Sequence, residues 1–267
     1  MTKPLSVTRK PSLDSWLLDA APDLIPHREA RDIYGDFVGS RREYLTRNNY
    51  KLNKSDIPTV SWTGSPARTG FLNACTNSTI GCRHVCIRYT GRLDIPQAQL
   101  AGMARTEFLR LHPSAAVSLI HWETVLASKR HERVGRRLNI VTDLRWDEWV
   151  PWLLSESPDN VDTYDYTKHW DRDPTPAERY RLTFSASEHH GPDDIRAKIG
   201  TGANVAVVFG VPKGYDYPTH WHGMPILDGD ISDLRYDDPS GHIVALYAKG
   251  RARKMASGLD RFVKPIN

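Results

Sequence analysis

Short apolar or β-branched runs recur along the second half of the sequence, and this repetition restricts the fold more than any other feature. Six such runs follow Gly135 at intervals of roughly 17–25 residues, with helical linkers between some of them. Strands that alternate with helices are typical of βα units and of a mainly parallel sheet. The predicted strands are 138–142, 161–167, 182–185, 204–209, 225–227 and 242–247, after an earlier one at 59–62.

The pattern therefore predicts an α/β fold, either a partial (β/α) barrel or an open, mainly parallel sheet. Residues 1–57 are polar and interrupted by prolines, and we interpret them as an N-terminal extension. We expect residues 58–267 to form a single α/β domain. Apolar residues at helical spacing and proline in the first turn predict the longer helices. The predicted helices are 96–111, 113–130, 147–154 and 193–199.

The predicted strands end in polar residues, and in parallel α/β folds the functional groups lie beyond these carboxyl ends. A polar residue after a single strand is weak evidence, because loops begin there. The prediction therefore rests on the repetition of polar residues after several strands. We expect Lys168 and Glu188 to move protons in a reaction. The side chains expected to hold a cofactor or substrate are Asp143, Asp165, Ser187, Asp230 and Lys249.

All three cysteines of the 267-residue chain, Cys75, Cys82 and Cys86, fall within 12 residues in a C-x6-C-x3-C arrangement. The count is odd and the sequence starts without the apolar run of an export signal, which argues against a disulfide framework. Thiolates are soft ligands that select iron–sulfur clusters, zinc or copper(I). A shared metal group is therefore the favoured interpretation, and small buried thiols without a ligand are the alternative.

Among the metal groups, a [4Fe–4S] cluster suits three closely spaced cysteines, because one loop reaches three of its iron corners. The fourth iron then binds a substrate, water, S-adenosylmethionine or another side chain. Arg83 and Arg88 lie in or beside the cysteine window and would offset the negative charge of the cluster. Structural zinc is the alternative, with a distant histidine as the fourth ligand.

A βα barrel with three cysteines after the first strand resembles the radical S-adenosylmethionine enzymes. Their usual loop is C-x3-C-x2-C, and Cys82 and Cys86 fit its first pair. Tyr89 occupies the place of their third cysteine, so the third thiolate would come from Cys75. The resemblance implies S-adenosylmethionine as a further cofactor and a radical or redox reaction.

A second resemblance rests on several motifs taken together and covers residues from about 68 to 258. The set is similar to a family of phage and mobile-element proteins that is frequent in actinobacteriophages. The resemblance implies a phage-encoded protein that works inside a bacterial host. The motifs are Cys75–Cys86, Thr90-Gly-Arg92, Thr142-Asp143 with Trp146, Tyr164–Lys168, Leu182–Glu188, Asn204–Phe209, Asp228-Gly-Asp230 with Asp233 and Arg235, and Ala248–Arg253.

The net charge is only +4, and the sequence has no Walker A loop, dinucleotide fingerprint, nucleophile elbow or H-E-x-x-H motif. Basic runs at 129–137 and 249–254 are candidates for phosphate contacts, although such runs are usually solvated. No stretch is long and apolar enough for a membrane span, so we expect a cytoplasmic protein without a membrane partner. The alternative function is a non-catalytic, metal-stabilised protein that binds nucleic acid or host transcription proteins.

Overall fold

The structure is a computed structural model that describes residues 17, 20–40, 42–47, 57–67 and 72–267. Its centre is a nine-stranded sheet. The strands are β1 (Thr59–Ser61), β2 (Val134–Arg137), β3 (Val161–Thr167), β4 (Tyr180–Ser185), β5 (Asn204–Phe209), β6 (His220–Trp221), β7 (Met224–Asp228), β8 (Ile243–Tyr247) and β9 (Val263–Lys264). The helices are α1 (His27–Val38), α2 (Ile80–His84), α3 (Pro96–Leu111), α4 (Pro113–Ser128), α5 (Trp146–Trp149), α6 (Pro151–Ser155) and α7 (Pro192–Ile199). Within the described part of the chain, no helix has the length and apolar character required to cross a bilayer.

The strand order is β1-β2-β3-β4-β5-β8-β7-β6, and β9 pairs with the end of β5. Among the described strands, every strand-to-strand pairing is parallel except that of β6 with β7, which form an antiparallel hairpin. The expected mainly parallel sheet is therefore confirmed. Among the described residues, β1 and β6 lie at opposite ends of this order and no pairing joins them, so a closed barrel is not present.

Helix α4 is buried over most of its surface because it lies between α1 and the sheet. Residues of the N-terminal region join this core. The rings of Tyr34 and Tyr44 pack against Phe108 of α3, with ring centroids 4.8 and 5.5 Å apart. The described part of the predicted extension therefore shares a hydrophobic core with the α/β domain.

The strand predicted at 138–142 is wrong, because β2 ends at Arg137 and the chain then forms a loop. Asn139 explains the difference. Its Oδ1 accepts hydrogen bonds from the Leu144 N–H (2.8 Å) and the Thr142 hydroxyl (2.9 Å), and its Nδ2 donates to the Leu144 carbonyl (3.0 Å). Such local side-chain bonds compete with strand pairing. The loop carries Asp143 over the carboxyl end of β2.

Residues 229–242 connect β7 to β8 by crossing one face of the sheet. Leu234 lies against Gly135 of β2, at the opposite side of the strand order. The Tyr236 ring packs under the guanidinium groups of Arg133 and Arg181, at 5.7 and 5.0 Å. This crossing segment therefore joins the two halves of the sheet.

Candidate metal centre at the cysteine segment

The cysteine segment, residues 75–86, lies across the carboxyl ends of the parallel strands. After β2, the Asp143 N–H donates to the Ala74 carbonyl oxygen (2.8 Å). After β3, the Lys168 carbonyl oxygen accepts a hydrogen bond from the Asn77 amide (3.4 Å). The segment therefore lies at the carboxyl ends of the strands, where the sequence predicts the functional groups.

Glu188, after β4, anchors the short helix α2, which carries the second cysteine. Thr79 caps this helix, and its hydroxyl donates to Glu188 Oε2 (2.8 Å), while the Gly81 N–H donates to Oε1 (2.8 Å). Burial alone would raise the pKa of Glu188, but these hydrogen bonds hold it below its usual value. Arg83 donates from Nε and Nη2 to the Ser78 carbonyl (3.0 and 2.7 Å), so it also braces the loop. Proton transfer by Glu188 stays a prediction.

The three cysteines are half-buried free thiols. The Cys75 thiol donates a hydrogen bond to the Val141 carbonyl oxygen (3.3 Å). Burial raises the pKa of Cys75 well above its usual value, and the nearby Asp143, Cys86 and Cys82 raise it further. Burial is also the main cause that raises the pKa of Cys86. Both thiols therefore require a positive group, such as a soft metal, to become thiolates at neutral pH.

Two cations flank these thiols. Burial alone would lower the pKa of Lys168, but the cysteines and Asp143 around it raise it above its usual value. Arg88 is fully buried beside Cys86, and burial lowers the pKa of its guanidinium. Its Nη2 donates to the Ala98 carbonyl (2.8 Å), but Nε and Nη1 have no hydrogen-bond partner in the described residues. Because an uncompensated buried cation is costly, the site favours a group with net negative charge.

Asp143 is buried beneath the cysteine segment, with 4% of its surface exposed. Its Oδ2 accepts a hydrogen bond from the Lys168 N–H (2.8 Å) and lies 4.0 Å from His169 Nε2. Its Oδ1 is buried and, in the part of the chain that the structure describes, has no hydrogen-bond partner. His169 was not predicted from the sequence. The available signal was its position directly after a strand end, as for Lys168.

Asp165 and Ser187 lie in the interior below the loops. Asp165 is fully buried, and its carboxylate accepts hydrogen bonds from the Asn139 N–H (2.7 Å) and the Tyr180 hydroxyl (3.1 Å). Ser187 is also buried, and its Oγ lies 3.1 Å from His190 Nδ1. Through these contacts both residues hold the loops above them in position. Direct cofactor binding by either residue stays a prediction.

Asp230 and Lys249 form an ion pair of 2.6 Å at the carboxyl ends of β7 and β8. The next residue, Gly250, lies so close to Thr90 that a Cβ at this position would clash with the threonine hydroxyl. Residues that follow the cysteine segment therefore contact this end of the sheet as well. The predicted cofactor contacts of Asp230 and Lys249 stay predictions.

Within the described residues, no group of three or more His, Cys, Asp or Glu side chains is arranged to hold a metal ion. A single tetrahedral zinc ion requires all its thiolate sulfurs at about 2.3 Å from one point. The thiols lie close enough to affect one another's pKa without forming that arrangement. Metal binding by Cys75, Cys82 and Cys86 thus stays a prediction.

A family model described as Gene product 88 matches residues 39–261, which is more than half of the chain. The chain belongs to the Gene product 88 family. This is a phage-type family, so the expected membership in a family of phage proteins is confirmed at that level. The matched region includes the cysteine segment and strands β1 to β8. Searches of the curated proteins and of the solved structures found no match.

Proposed function

We propose that this phage-type protein binds a [4Fe–4S] cluster through the thiolates of Cys75, Cys82 and Cys86. The observation that carries the proposal is the gathering of three thiols, the half-buried Lys168 and the buried Arg88 at the carboxyl end of a parallel sheet. Cys75 lies before α2, Cys82 lies within it and Cys86 follows it, and their thiols are near enough to affect one another's pKa.

The donor set supports a cluster more than a single zinc ion. A zinc ion requires four donors around one point, and the described side chains do not have that arrangement. The three thiolates that hold a cluster bind three different irons, so they need not converge on one point. Zinc remains the alternative that the experiment below separates.

The charge of the site supports the same choice. Three thiolates around a [4Fe–4S] cluster leave a net negative charge on the group. Lys168 and Arg88 provide the compensating positive charges, and both lower the pKa of the Cys86 thiol against the effect of burial. Because the cations are partly or fully buried, such compensation stabilises the loaded protein more than it would at the surface.

When bound, the cluster supplies one-electron transfer and, at an iron without a protein ligand, a place for a small molecule. The chain itself positions the group. Glu188 fixes the helix with Cys82, and Lys168 places an ammonium group beside the thiols. Binding of S-adenosylmethionine and radical chemistry are extensions of this proposal.

Anaerobic purification followed by iron, sulfide and zinc analysis tests the proposal. We expect about four irons and four sulfides per chain and the broad visible absorption of thiolate-bound iron. Replacement of Cys75, Cys82 or Cys86 by serine should each lower the iron content, whereas Thr76→Ala in the same segment should not. A colourless anaerobic protein with one zinc per chain, or with no metal, would contradict the proposal.

A second measurement separates an enzyme from a binding protein. The reduced, loaded protein is incubated anaerobically with S-adenosylmethionine, and cleavage products are measured. Cleavage that disappears in Cys82→Ser supports the radical reaction. Tight nucleic-acid binding without cleavage, weakened by replacement of Arg251 and Arg253, would instead favour the non-catalytic alternative.

A further inference from the structure

We infer that the Asp143 carboxylate, through Oδ1, is the fourth protein ligand of the group held by the three cysteines. This inference rests on the proposed function, since it names a residue that completes the same site. It also specifies the ligand chemistry, namely three thiolates and one carboxylate oxygen. Because every iron then has a protein ligand, this inference takes the place of the S-adenosylmethionine extension and leaves cluster binding itself unchanged.

The backbone places Asp143 next to the first cysteine. The Asp143 N–H donates to the carbonyl of Ala74, the residue before Cys75. The Cys75 thiol in turn contacts the carbonyl of Val141, two residues before Asp143. The loop after β2 and the residues at the start of the cysteine segment are therefore joined at two points, at Asp143 itself and two residues before it.

The two carboxylate oxygens of Asp143 have different surroundings. Oδ2 accepts the Lys168 N–H, which fixes the orientation of the side chain. Oδ1 is inaccessible to solvent and has no hydrogen-bond partner among the described residues. A buried carboxylate oxygen without a partner costs free energy, and a cation or metal at this position would remove that cost.

Charge neutrality supports the assignment. The hydrogen bonds from the Asp143 N–H to Ala74 and from the Cys75 thiol to Val141 hold the carboxylate and the sulfur on adjoining segments of backbone. Two like charges held together without a bound cation would repel each other. A metal group between them would bind both anions and remove this repulsion. Carboxylates are established ligands of iron and zinc.

The test compares Asp143→Asn, Asp143→Cys and wild type after anaerobic loading. Asparagine keeps an oxygen that accepts the Lys168 N–H but removes the anionic ligand, and cysteine supplies a fourth thiolate. Added ferricyanide, a one-electron oxidant, takes one electron from a [4Fe–4S]2+ cluster; loss of one Fe2+ then leaves a [3Fe–4S]+ cluster, which EPR detects. We expect the fraction that loses an iron to rise in the order Cys, Asp, Asn.

Asp162→Asn is the matched control. Asp162 is a buried carboxylate that pairs with Arg133 and Arg179 at the amino end of β3, whereas the cysteine segment lies at the carboxyl end. It should retain the wild-type EPR response even if it lowers stability. A second readout is the addition of a small thiol, which should alter the EPR spectrum of reduced Asp143→Asn and leave wild type unchanged.

The possible outcomes separate the two claims. A wild-type protein without iron or sulfide contradicts the proposed function itself. A loaded wild type whose oxidative iron loss and thiol response match those of Asp143→Asn overturns only the role of Asp143. A graded series with an unaffected Asp162→Asn supports both.

Discussion

At the scale of single residues, burial changes the chemistry of side chains that the sequence shows only as polar. Asp165 is the clearest case. It follows the hydrophobic part of β3, is fully buried, and burial raises its pKa from 3.8 to about 7 despite the nearby Arg137 and two hydrogen bonds. Its carboxyl group fastens the loop of Asn139, which carries Asp143. Asp165, which the pattern of polar strand ends predicted as a site residue, thus holds in place the loop that carries Asp143.

The raised pKa predicts a pH-dependent stability. Between about pH 4 and pH 7 folded Asp165 retains a proton that the unfolded chain releases, so its contribution to stability decreases as pH rises through this window. We expect Asp165→Asn, which does not ionise, to lack this decrease, with a difference on the order of a few kcal/mol near neutral pH. Urea unfolding of both proteins at several pH values measures the difference. Parallel pH profiles would contradict the prediction.

At the scale of elements, the short helix α2 depends on one distant carboxylate. Its five residues are too few to be stable alone. Glu188 accepts hydrogen bonds from the Thr79 hydroxyl and the Gly81 N–H, where a negative charge also interacts favourably with the helix dipole. The approach is so close that a Cβ on Gly81 would lie 2.6 Å from Glu188 Oε2.

We therefore expect Glu188→Ala to loosen α2 in the metal-free protein. Alkylation of Cys82, followed by mass spectrometry, should become several-fold faster, and stability should fall by about 1–3 kcal/mol. Gly81→Ala should have the same effect because the added methyl group displaces the carboxylate. Glu178→Ala, a change at an exposed carboxylate, is the control. Unchanged Cys82 alkylation in both variants would show that Glu188 does not hold the helix.

At the scale of the whole molecule, residues 229–242 link strands that are far apart in the order of the sheet. Leu234 is 7% exposed and packs on β2, although the segment begins at β7. The ion pairs of Arg133 with Asp162 and Asp237 add a second link near the amino ends of the strands. The two halves of the sheet should consequently unfold as one cooperative unit.

This arrangement makes Leu234→Ala informative. Removal of the buried side chain should lower the free energy of unfolding by about 2–4 kcal/mol. Ile231→Ala, in the same segment but with 73% of its side chain exposed, should change it by less than about 0.5 kcal/mol. Chemical denaturation monitored by tryptophan fluorescence and by circular dichroism measures both. A loss for Leu234→Ala no larger than that for Ile231→Ala would exclude the proposed link.

Much of the candidate site followed from local sequence. The cysteine window and the polar strand ends were visible as patterns, and the structure brings Asp143, Lys168 and Glu188 to the cysteine segment. The separate role of each of these residues was not visible in the sequence. His169 adjoins Asp143, and Glu188 is engaged by backbone and hydroxyl donors. Which polar groups are already paired depends on contacts across more than 100 residues of chain, as between Gly81 and Glu188.

Local sequence was enough to predict the longer elements, because apolar periodicity and proline position act over a few neighbouring residues. Strands β3 and β5 and helix α3 begin and end at the predicted residues. Long-range contacts, in contrast, set the position of β8 between β5 and β7 and the end of β2 at Arg137. Strand order depends on pairing between distant segments, and the end of β2 depends on hydrogen bonds of one asparagine, which a periodic pattern does not encode.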